Sequence, residues 1–453
     1  MTKYTFYGGA GEIGGNKILL EDKDARVYLD FGQSFNFGSD YFYEYLEPRS
    51  VNGLECLFEF DLIPKVSGLY NRKSLRFTDL QYEKSGIDAV FISHHHSDHV
   101  GHLPFLDEDI PVYMGHGTAK IIETYGTLYR DLVDIGEHKN LKTFKSGDVV
   151  QLKHLLFRPV HVEHSTPGAY GYVIEKDDGR NIVFTGDFRR HGPKREYTEE
   201  FIREAAKARP YAMLCEGTRM SPDPEIQYTE EQVYEKVKGI VEDAKSLVFG
   251  NFAMINIDRF KSFYRAAEEC SRTFVIDTKM AYILDQLREK IPDLPDPCAD
   301  ENLKVYYRLA KSCQFCDKDY YVYERKYLGN MITYREMKER AGDYVMLTNY
   351  NKLMELVYMQ PKGADYIYSS SEHFLEGEDN EEMRTVLYNW LAHFGIKLHK
   401  AHCSGHASRS DIEYAIKKIK PEILIPIHTQ NPGEFRKIHD DVRIPEKGGT
   451  IDI

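Results

Sequence analysis

The sequence has no long apolar run and no signal pattern at its N-terminus. None of its hydrophobic stretches approaches the roughly 18 uninterrupted apolar residues of a membrane-spanning helix. Residues 1–6 also lack the charged and apolar regions that begin a secretory signal peptide. We therefore expect a cytoplasmic protein that is not held in a membrane.

Cysteine is scarce, and its number is odd. Seven cysteines are scattered through 453 residues, which argues against a disulfide framework and predicts reduced thiols. Cys313 and Cys316 have the C-x-x-C spacing of half a zinc knuckle, for which Cys298 could supply a third ligand. A single C-x-x-C pair is weak evidence, so free thiols are the favoured interpretation.

Positive charge is in deficit. The chain has 59 Lys and Arg against 72 Asp and Glu, a net charge of −13, and attraction to nucleic-acid phosphates requires positive potential. The deficit does not exclude such a partner, because bound divalent cations would reverse the charge where a substrate reacts. Basic side chains at 189–195 and at Arg259 with Lys261 fit either solvated charge or phosphate contacts.

A cluster of histidine and aspartate follows the apolar run 87–92. The six residues 94–99 contain four side chains that bind transition metals, His94, His96, Asp98 and His99. A histidine-rich surface turn is the alternative, but the cluster lies mid-chain where a strand ends, and it includes an aspartate. The sequence therefore predicts a metal site here.

Later parts of the chain repeat this design. Five further ligand-type side chains follow strand-like sequence or lie in a turn of small residues: His164, Asp187, Glu216, His406 and His428. Asp30 ends an earlier apolar strand, and its place predicts an orienting partner for a metal-bound histidine. The glycine-rich residues 8–15 lack the phosphate-loop order G-x-x-x-x-G-K-[ST] and predict a tight turn beside an active site.

The middle of the chain has a different pattern. From about Tyr228, helices and strands alternate, which predicts α/β units around a parallel sheet. Ligands bind such sheets at the carboxyl ends of strands, where Ser369 and Ser370 would lie. Because the last segment returns to the first pattern, we expect the middle region to be inserted into the first domain. The aromatic, irregular residues 33–84 predict a functional or lid-like connection.

Taken together, these residues resemble the metallo-β-lactamase superfamily in its dinuclear hydrolase form. The phrases at 164–167 (HSTP), 404–407 (SGHA) and 425–428 (IPIH) are most similar to ribonuclease J-like nucleases of the β-CASP group, especially short archaeal-type members. The resemblance implies an α/β fold, a metallo-β-lactamase αββα sandwich with an inserted β-CASP domain. It assigns residues 1–218 and the return segment 401–453 to the sandwich, and residues 219–400 to the insertion.

The resemblance also implies the residues of the site. One cation would be held by His94, His96 and His164, and the other by Asp98, His99 and His428. Asp187 would bridge two Zn²⁺ per chain, with Mn²⁺ or Mg²⁺ as alternatives. The implied catalytic residues are Asp98, Asp187, Glu216 and His406, where Glu216 would orient His406 as proton donor to the leaving group. The substrate phosphate is expected at Ser369, Ser370, Ser404, Gly405 and His406.

The activity that the resemblance implies is a metal-dependent ribonuclease in RNA processing or decay. It would be a 5′-to-3′ exonuclease on 5′-monophosphorylated single-stranded RNA, with some endonuclease activity, and would act as a homodimer. The sequence ends soon after His428, so we expect the C-terminal domain of bacterial members to be absent.

Three alternatives remain for the function. A DNA-directed β-CASP nuclease is disfavoured, because DNA-repair relatives tend to carry an apolar residue at the place of His428. A hydrolase of small thioesters or lactams would have no use for Glu216 and His406. A catalytically silent RNA-binding subunit is disfavoured because all the ligand positions are filled.

Overall fold

A computed structural model gives the structure of most of the chain. The described residues are 2–43, 45–49, 53–129, 138, 140–222, 227–291, 293–371, 375, 377 and 380–453. The sequence after the histidine cluster predicts a helix over residues 118–132; the structure has it as His116–Leu128, and residues 130–132 lie outside the described part.

The structure is built of alternating helices and strands. The strands are β1 (Thr2–Gly8), β2 (Lys17–Asp22), β3 (Ala25–Leu29), β4 (Ala89–Ile92), β5 (Val112–Gly115), β6 (Leu141–Phe144), β7 (Val150–Leu152), β8 (Leu155–His161), β9 (Tyr170–Glu175), β10 (Ile182–Phe184), β11 (Ala212–Glu216), β12 (Val248–Asn251), β13 (Thr273–Asp277), β14 (Leu303–Tyr306), β15 (Met331–Ile332), β16 (Tyr344–Thr348), β17 (Asp365–Tyr368), β18 (Lys397–Lys400), β19 (Ile423–Ile427) and β20 (Thr450–Asp452). The α-helices are α1 (Glu55–Glu59), α2 (Ser97–Val100), α3 (His116–Leu128), α4 (Arg195–Lys207), α5 (Glu230–Asp243), α6 (Ile257–Glu269), α7 (Thr278–Leu287), α8 (Val322–Arg325), α9 (Tyr334–Glu339), α10 (Glu355–Met359), α11 (Glu381–Phe394) and α12 (Arg409–Ile419).

Two sheets face each other. The first has seven strands in the order β20-β1-β2-β3-β4-β5-β6, and the second has six in the order β19-β11-β10-β9-β8-β7. In the first sheet, β20, β1, β2 and β3 pair antiparallel, whereas β3 to β6 run parallel. The last strands of the chain, β19 and β20, therefore join sheets that the first part of the chain began.

Apolar side chains from both sheets form one core between them. Phe91 on β4 stacks on Phe157 of β8 with ring centroids 3.9 Å apart, and both rings are fully buried. Helix α3 packs on the outer face of the first sheet, while α4 and α12 cover the outer face of the second. The predicted αββα sandwich is confirmed.

The third sheet lies wholly between residues 248 and 400. Its seven strands are ordered β15-β14-β13-β16-β12-β17-β18 and pair parallel throughout, so the predicted parallel sheet is confirmed. Helices α5, α6 and α7 cover one face, and α9, α10 and α11 cover the other. Strands β14, β15 and β18 were not predicted, because polar residues interrupt the apolar pattern of β14 and β18 and because β15 has only two residues. The boundaries after 218 and 400 stay a prediction.

The aromatic segment 33–84 divides into a packed part and an exposed part. Phe58 and Tyr70 are buried in the cluster that also contains Val90 of β4. By contrast, the side chains of Tyr43 and Tyr45 are 70% and 99% exposed. Packing thus accounts for some of these aromatics, and a lid-like role stays a prediction.

The cysteines and helices carry no sign of a crosslink or a membrane span. All seven cysteines are free, as expected. Among the described residues, the side-chain groups that could hold a metal contain no cysteine, so a zinc site at Cys298, Cys313 and Cys316 finds no support. Within the same residues, no helix combines the length and apolar character needed to cross a bilayer.

The stacked pair in the sandwich core yields a stability prediction. Phe91→Ala should lower the free energy of unfolding by about 3–5 kcal/mol, because it leaves a cavity between two sheets. Urea denaturation followed by fluorescence would measure the change. Tyr45→Ala, at an exposed ring, should change it by no more than about 0.5 kcal/mol. Equal midpoints for Phe91→Ala and the unaltered protein would contradict this account of the core.

Candidate metal centre

The histidine cluster lies where β4 ends and the short helix α2 begins. His94 follows β4 after one residue, His96 precedes α2 with an extended backbone, and α2 itself carries Asp98 and His99. The carboxyl ends of β8, β10, β11 and β19 and the loops that follow them meet this point, because these strand ends share the same edge of the sandwich. They bring His164, Asp187, Glu216 and His428 beside the cluster.

Three imidazole groups form the first part of the site. His94 Nε2 and His164 Nε2 lie 3.0 and 3.1 Å from His96 Nδ1. His164 Nδ1 donates to the carbonyl of Gly405 at 2.6 Å, so its Nε2 carries no proton when the ring is neutral. Burial lowers the pKa of His96 to about 4 and holds the pKa of His164 well below its usual value, which keeps both rings neutral.

Ser93 fixes the tautomer of His94. Its hydroxyl donates to Asp30 Oδ2 at 2.9 Å and is therefore free to accept from His94 Nδ1 at 3.0 Å. His94 Nε2 is then also bare, and bare nitrogens that face one another are stabilised by a shared cation. Ser93 is not among the predicted site residues, although its place directly before His94 was a usable signal.

The second part of the site mixes two carboxylates with two imidazoles. His428 Nε2 lies 2.9 Å from Asp98 Oδ2, and His99 Nε2 lies 3.1 Å from Asp187 Oδ2. All four side chains are buried. Although burial opposes charge, the neighbouring imidazoles hold the pKa of Asp98 and Asp187 below the usual range. These anions require positive charge beside them, from imidazolium or from a bound cation.

Asp30 has the place expected of an orienting residue. Its Oδ2 accepts from His99 Nδ1 at 2.7 Å, and its Oδ1 accepts from the backbone N–H of Ser93 at 2.7 Å. Donation from Nδ1 leaves His99 Nε2 to face Asp187.

Asp30 has a φ of 58° and His428 a φ of 53°, in the left-handed region where a residue with a side chain is strained.

Asp187 lies between the two parts of the site. Its Oδ2 is 3.7 Å from His94 Nε2, 3.1 Å from His99 Nε2 and 3.6 Å from His428 Nε2. Its Oδ1 is buried and has no hydrogen-bond partner among the described residues. A buried, unpartnered carboxylate oxygen is costly unless a cation or proton meets it. This orphaned oxygen and the bare imidazole nitrogens fit divalent transition metals.

His406 and Glu216 adjoin the second part of the site. Glu216 is fully buried, and its carboxylate accepts from the backbone N–H groups of Phe188 and Thr218 at 3.3 and 3.0 Å. His406 Nδ1 lies 3.5 Å from Glu216 Oε1 and 3.1 Å from Thr218 Oγ1. Its side chain is 21% exposed. Thr218 was also missed, because no sequence signal brings residues 218, 406 and 428 together.

The segment 403–405 turns its carbonyl groups toward buried donors. Arg259 Nη2 donates to the carbonyl of Cys403 at 3.3 Å, and His191 Nε2 donates to that of Ser404 at 2.7 Å. Gly405 accepts from His164, as described above. The Ser404 hydroxyl accepts from the His406 N–H at 3.1 Å. The partial negative charges of these three carbonyl oxygens are thus balanced by hydrogen-bond donors inside the protein.

The two predicted phosphate-binding serines of the inserted region differ in their surroundings. Ser369 is buried; its hydroxyl accepts from Arg259 Nη1 at 2.6 Å and donates to the carbonyl of Ala401. Ser370 donates to Asn251 Oδ1 at 3.2 Å and lines a cavity of about 290 Å³ at the carboxyl edge of the third sheet. Ser369 therefore supports the chain near the site, and Ser370 has access to open space.

The arginines at 189 and 259 are neither solvated nor on the surface. Both side chains are completely buried. Arg189 Nη2 lies 2.8 Å from Asp258 Oδ2, and Arg259 Nε lies 2.7 Å from Glu230 Oε1. The sequence left solvated charge and phosphate contacts open for these arginines, and their buried guanidinium groups fit neither.

The glycine-rich loop supports the metal motif from behind. The Gly9 carbonyl accepts from the His428 N–H at 2.8 Å, and the Asn16 N–H donates to the Asp98 carbonyl at 3.0 Å. Gly14 has a φ of +82°, and a Cβ there would lie 2.9 Å from Asp98 Cβ. The loop approaches so closely that a side chain at residue 14 would displace the aspartate.

Comparison with known proteins defines the class. Residues 62–242 match the family model described as a β-lactamase superfamily domain. The solved structure of a protein of unknown function from Enterococcus faecalis V583 shares the fold, with a TM-score of 0.77 and 24% identity over 99% of both chains. Residues 62–242 thus match a β-lactamase superfamily domain, and the solved structure agrees with this chain in fold.

The curated relatives narrow this class. Ribonuclease J of Mycoplasma genitalium is 25% identical across 99% of this chain and 70% of its own length. Ribonuclease J 2 of Streptococcus pyogenes is 23% identical across 98% of this chain and 72% of its own length. Nearly the whole chain is thus similar to ribonucleases J, at 23–25% identity.

The geometry predicts that the first imidazole group retains a cation. His96→Ala should bind fewer divalent ions than the unaltered protein, because His94 Nε2 and His164 Nε2 lose the His96 nitrogen that lies beside both of them. Metal analysis after dialysis against Zn²⁺ would count the ions. His116→Ala removes an exposed histidine from the same domain and should keep the full count. An unchanged count in His96→Ala would show that this group holds no ion.

Proposed function

We propose that this protein is a metal-dependent ribonuclease that hydrolyses RNA phosphodiester bonds. The observation that carries the proposal is the convergence of five imidazoles on two buried carboxylates, one of which has an orphaned oxygen. The ribonuclease J names of relatives that align with nearly the whole chain support RNA as the substrate.

The site residues would hold two divalent cations, which we take to be Zn²⁺. His94, His96 and His164 would hold one ion, Asp98, His99 and His428 the other, and Asp187 both. Bound there, the cations would supply positive charge to the phosphate and lower the pKa of a water molecule. Asp30 and Ser93 contribute by holding His94 and His99 with their bare nitrogens toward the site.

His406 is the proposed proton donor to the leaving oxygen. Its ring is partly exposed, while Glu216 and Asp187 are buried beneath it. These two carboxylates lie 3.5 and 3.7 Å from His406 Nδ1. A positioned acid of this kind typically contributes about 10²–10⁴-fold to a rate.

The RNA phosphate would lie against residues 403–406. Because the carbonyls of Cys403, Ser404 and Gly405 point to buried donors, the opposite side of this segment presents less negative charge to an anion. Ser370, beside the cavity at the sheet edge, would extend this surface, and Ser369 would support it from below. A terminal 5′-monophosphate held here would favour 5′-to-3′ exonuclease action, with endonuclease cuts as a minor activity.

The wider setting is also part of the proposal. The substrate would be single-stranded RNA in the cytoplasm, and the protein would act as a homodimer. The sandwich would comprise residues 1–218 and 401–453, with 219–400 as the inserted β-CASP domain. A DNA-directed nuclease and a silent RNA-binding subunit are the rivals, and parallel assays with labelled RNA and DNA separate them.

Loss of the bridging carboxylate should abolish hydrolysis. Asp187→Asn keeps the shape of the side chain but removes its charge, and we expect the rate on 5′-labelled RNA to fall at least about 100-fold. The circular dichroism spectrum should not change. His116→Ala should cut RNA at the unaltered rate. Full activity of Asp187→Asn in metal-controlled buffer would refute the assignment.

The chemistry of the RNA 5′ end should control the rate. A 5′-monophosphorylated RNA is expected to be degraded faster than the same RNA with a 5′-triphosphate or 5′-hydroxyl, and mononucleotides should appear from the start. A time course with uniformly labelled RNA measures both. Equal rates with internal fragments at the earliest times would instead indicate an endonuclease.

A further inference from the structure

Thr218 lies where the two histidines from the last part of the chain meet. Its hydroxyl oxygen is 2.8 Å from His428 Nδ1 and 3.1 Å from His406 Nδ1. It follows β11 by two residues, and its own N–H donates to Glu216 Oε2 at 3.0 Å. The buried Glu216 carboxylate therefore fixes the backbone that carries this hydroxyl.

The direction of the two hydrogen bonds follows from the groups involved. A hydroxyl has one proton to donate and can accept at its lone pairs. His428 Nε2 faces the carboxylates of Asp98 and Asp187, so it can hold a cation only if the ring proton is on Nδ1. His428 Nδ1 then donates to Thr218 Oγ1.

The Thr218 oxygen has a second lone pair, and His406 Nδ1 lies 3.1 Å from it. As a proton donor to the leaving oxygen, His406 carries a proton on each ring nitrogen, so His406 Nδ1 also donates to Thr218 Oγ1. The hydroxyl proton of Thr218 then points to the carbonyl of His428 at 3.5 Å, at the limit of a hydrogen bond. Glu216, at 3.5 Å from the same nitrogen, is farther than the hydroxyl and already accepts two backbone N–H groups.

We infer that Thr218 is a positioning residue that couples the proposed metal ligand His428 to the proposed acid His406. One hydroxyl oxygen accepts from both rings: the bond from His428 Nδ1 keeps His428 Nε2 bare toward the carboxylates, and the bond from His406 Nδ1 leaves the Nε2 proton of His406 to be donated. This inference rests on the proposed function for the role of His406, and on the geometry alone for His428.

Two substitutions isolate the hydroxyl. Thr218→Val keeps the size and branching of the side chain but has no hydroxyl, while Thr218→Ser keeps the hydroxyl and loses the methyl group. Partners of this kind typically change metal affinity or activity by about 10–100-fold when removed. We expect Thr218→Val to lower kcat on labelled RNA by that factor with KM nearly unchanged, and Thr218→Ser to stay within a few-fold of the unaltered protein.

Zn²⁺ binding gives a second readout that does not depend on RNA. Titration of the metal-free protein with Zn²⁺ against a chelator should show one weakened ion in Thr218→Val and none in Thr218→Ser. The thermal midpoint reports whether each variant folds, and Thr218→Ala replaces Thr218→Val if the latter does not.

Each outcome decides the inference. Equal Zn²⁺ affinity and kcat in Thr218→Val overturn it, as does an equal loss in Thr218→Ser, which would show that packing of the methyl group matters instead. A raised KM with unchanged kcat also overturns it. If the unaltered protein binds Zn²⁺ but does not cut RNA, the proposed function fails, and the Zn²⁺ titration still tests the coupling at His428.

Discussion

The burial of the Asp187 carboxylate is the constraint on which the rest of the site depends. One of its oxygens has no partner among the described residues, and the other faces imidazole nitrogens from both parts of the site. Such a group is stable in a protein interior only with positive charge beside it. Each strand end that reaches this point therefore delivers an imidazole or a group that orients one. A bound cation would supply the same positive charge and would also meet the imidazole nitrogens that carry no proton.

Holding these groups together requires strained and crowded backbone. Asp30 and His428 have left-handed conformations, which cost roughly 1–3 kcal/mol each and persist only where surrounding structure enforces them. The sandwich core and the hydrogen bond from His428 to the glycine-rich loop supply that enforcement. The surrounding structure thus holds these side chains in place, at a cost in stability, before a cation or substrate arrives.

Buried ion pairs connect the inserted region to the site. Arg189 reaches Asp258, and Arg259 joins Glu230 to the carbonyl of Cys403, one of the residues ahead of His406. Such pairs add little net stability because both ions lose their hydration, but removal of one partner typically costs about 3–5 kcal/mol. Their effect is to fix how the third sheet lies against segment 401–406, which couples the position of the proposed acid to the packing of the insertion.

The sequence by itself determined the fold class and the chemical type of the site. Alternating apolar patterns located the sandwich strands and the parallel sheet, since side-chain periodicity is a local property. The cluster at 94–99 and the strand-end residues at 164, 187 and 428 provided the side chains that could bind a metal. The resemblance of their order to the metallo-β-lactamase superfamily predicted the fold. Short strands such as β14 and β18 were not predicted, because polar side chains within them interrupt the apolar pattern.

Only the tertiary structure decided which side chains meet and what holds them. Thr218 has no sequence signal and Ser93 has only its place before His94, yet each links two site residues by a hydroxyl, at separations of up to 210 residues. The structure also showed Arg189 and Arg259 to be buried, where sequence allowed solvent or phosphate contacts. The physical reason is that the sequence fixes which kinds of side chain are available to bind a metal. Hydrogen-bond direction and burial depend on the distances between side chains, and these distances are set only after the strand ends have converged.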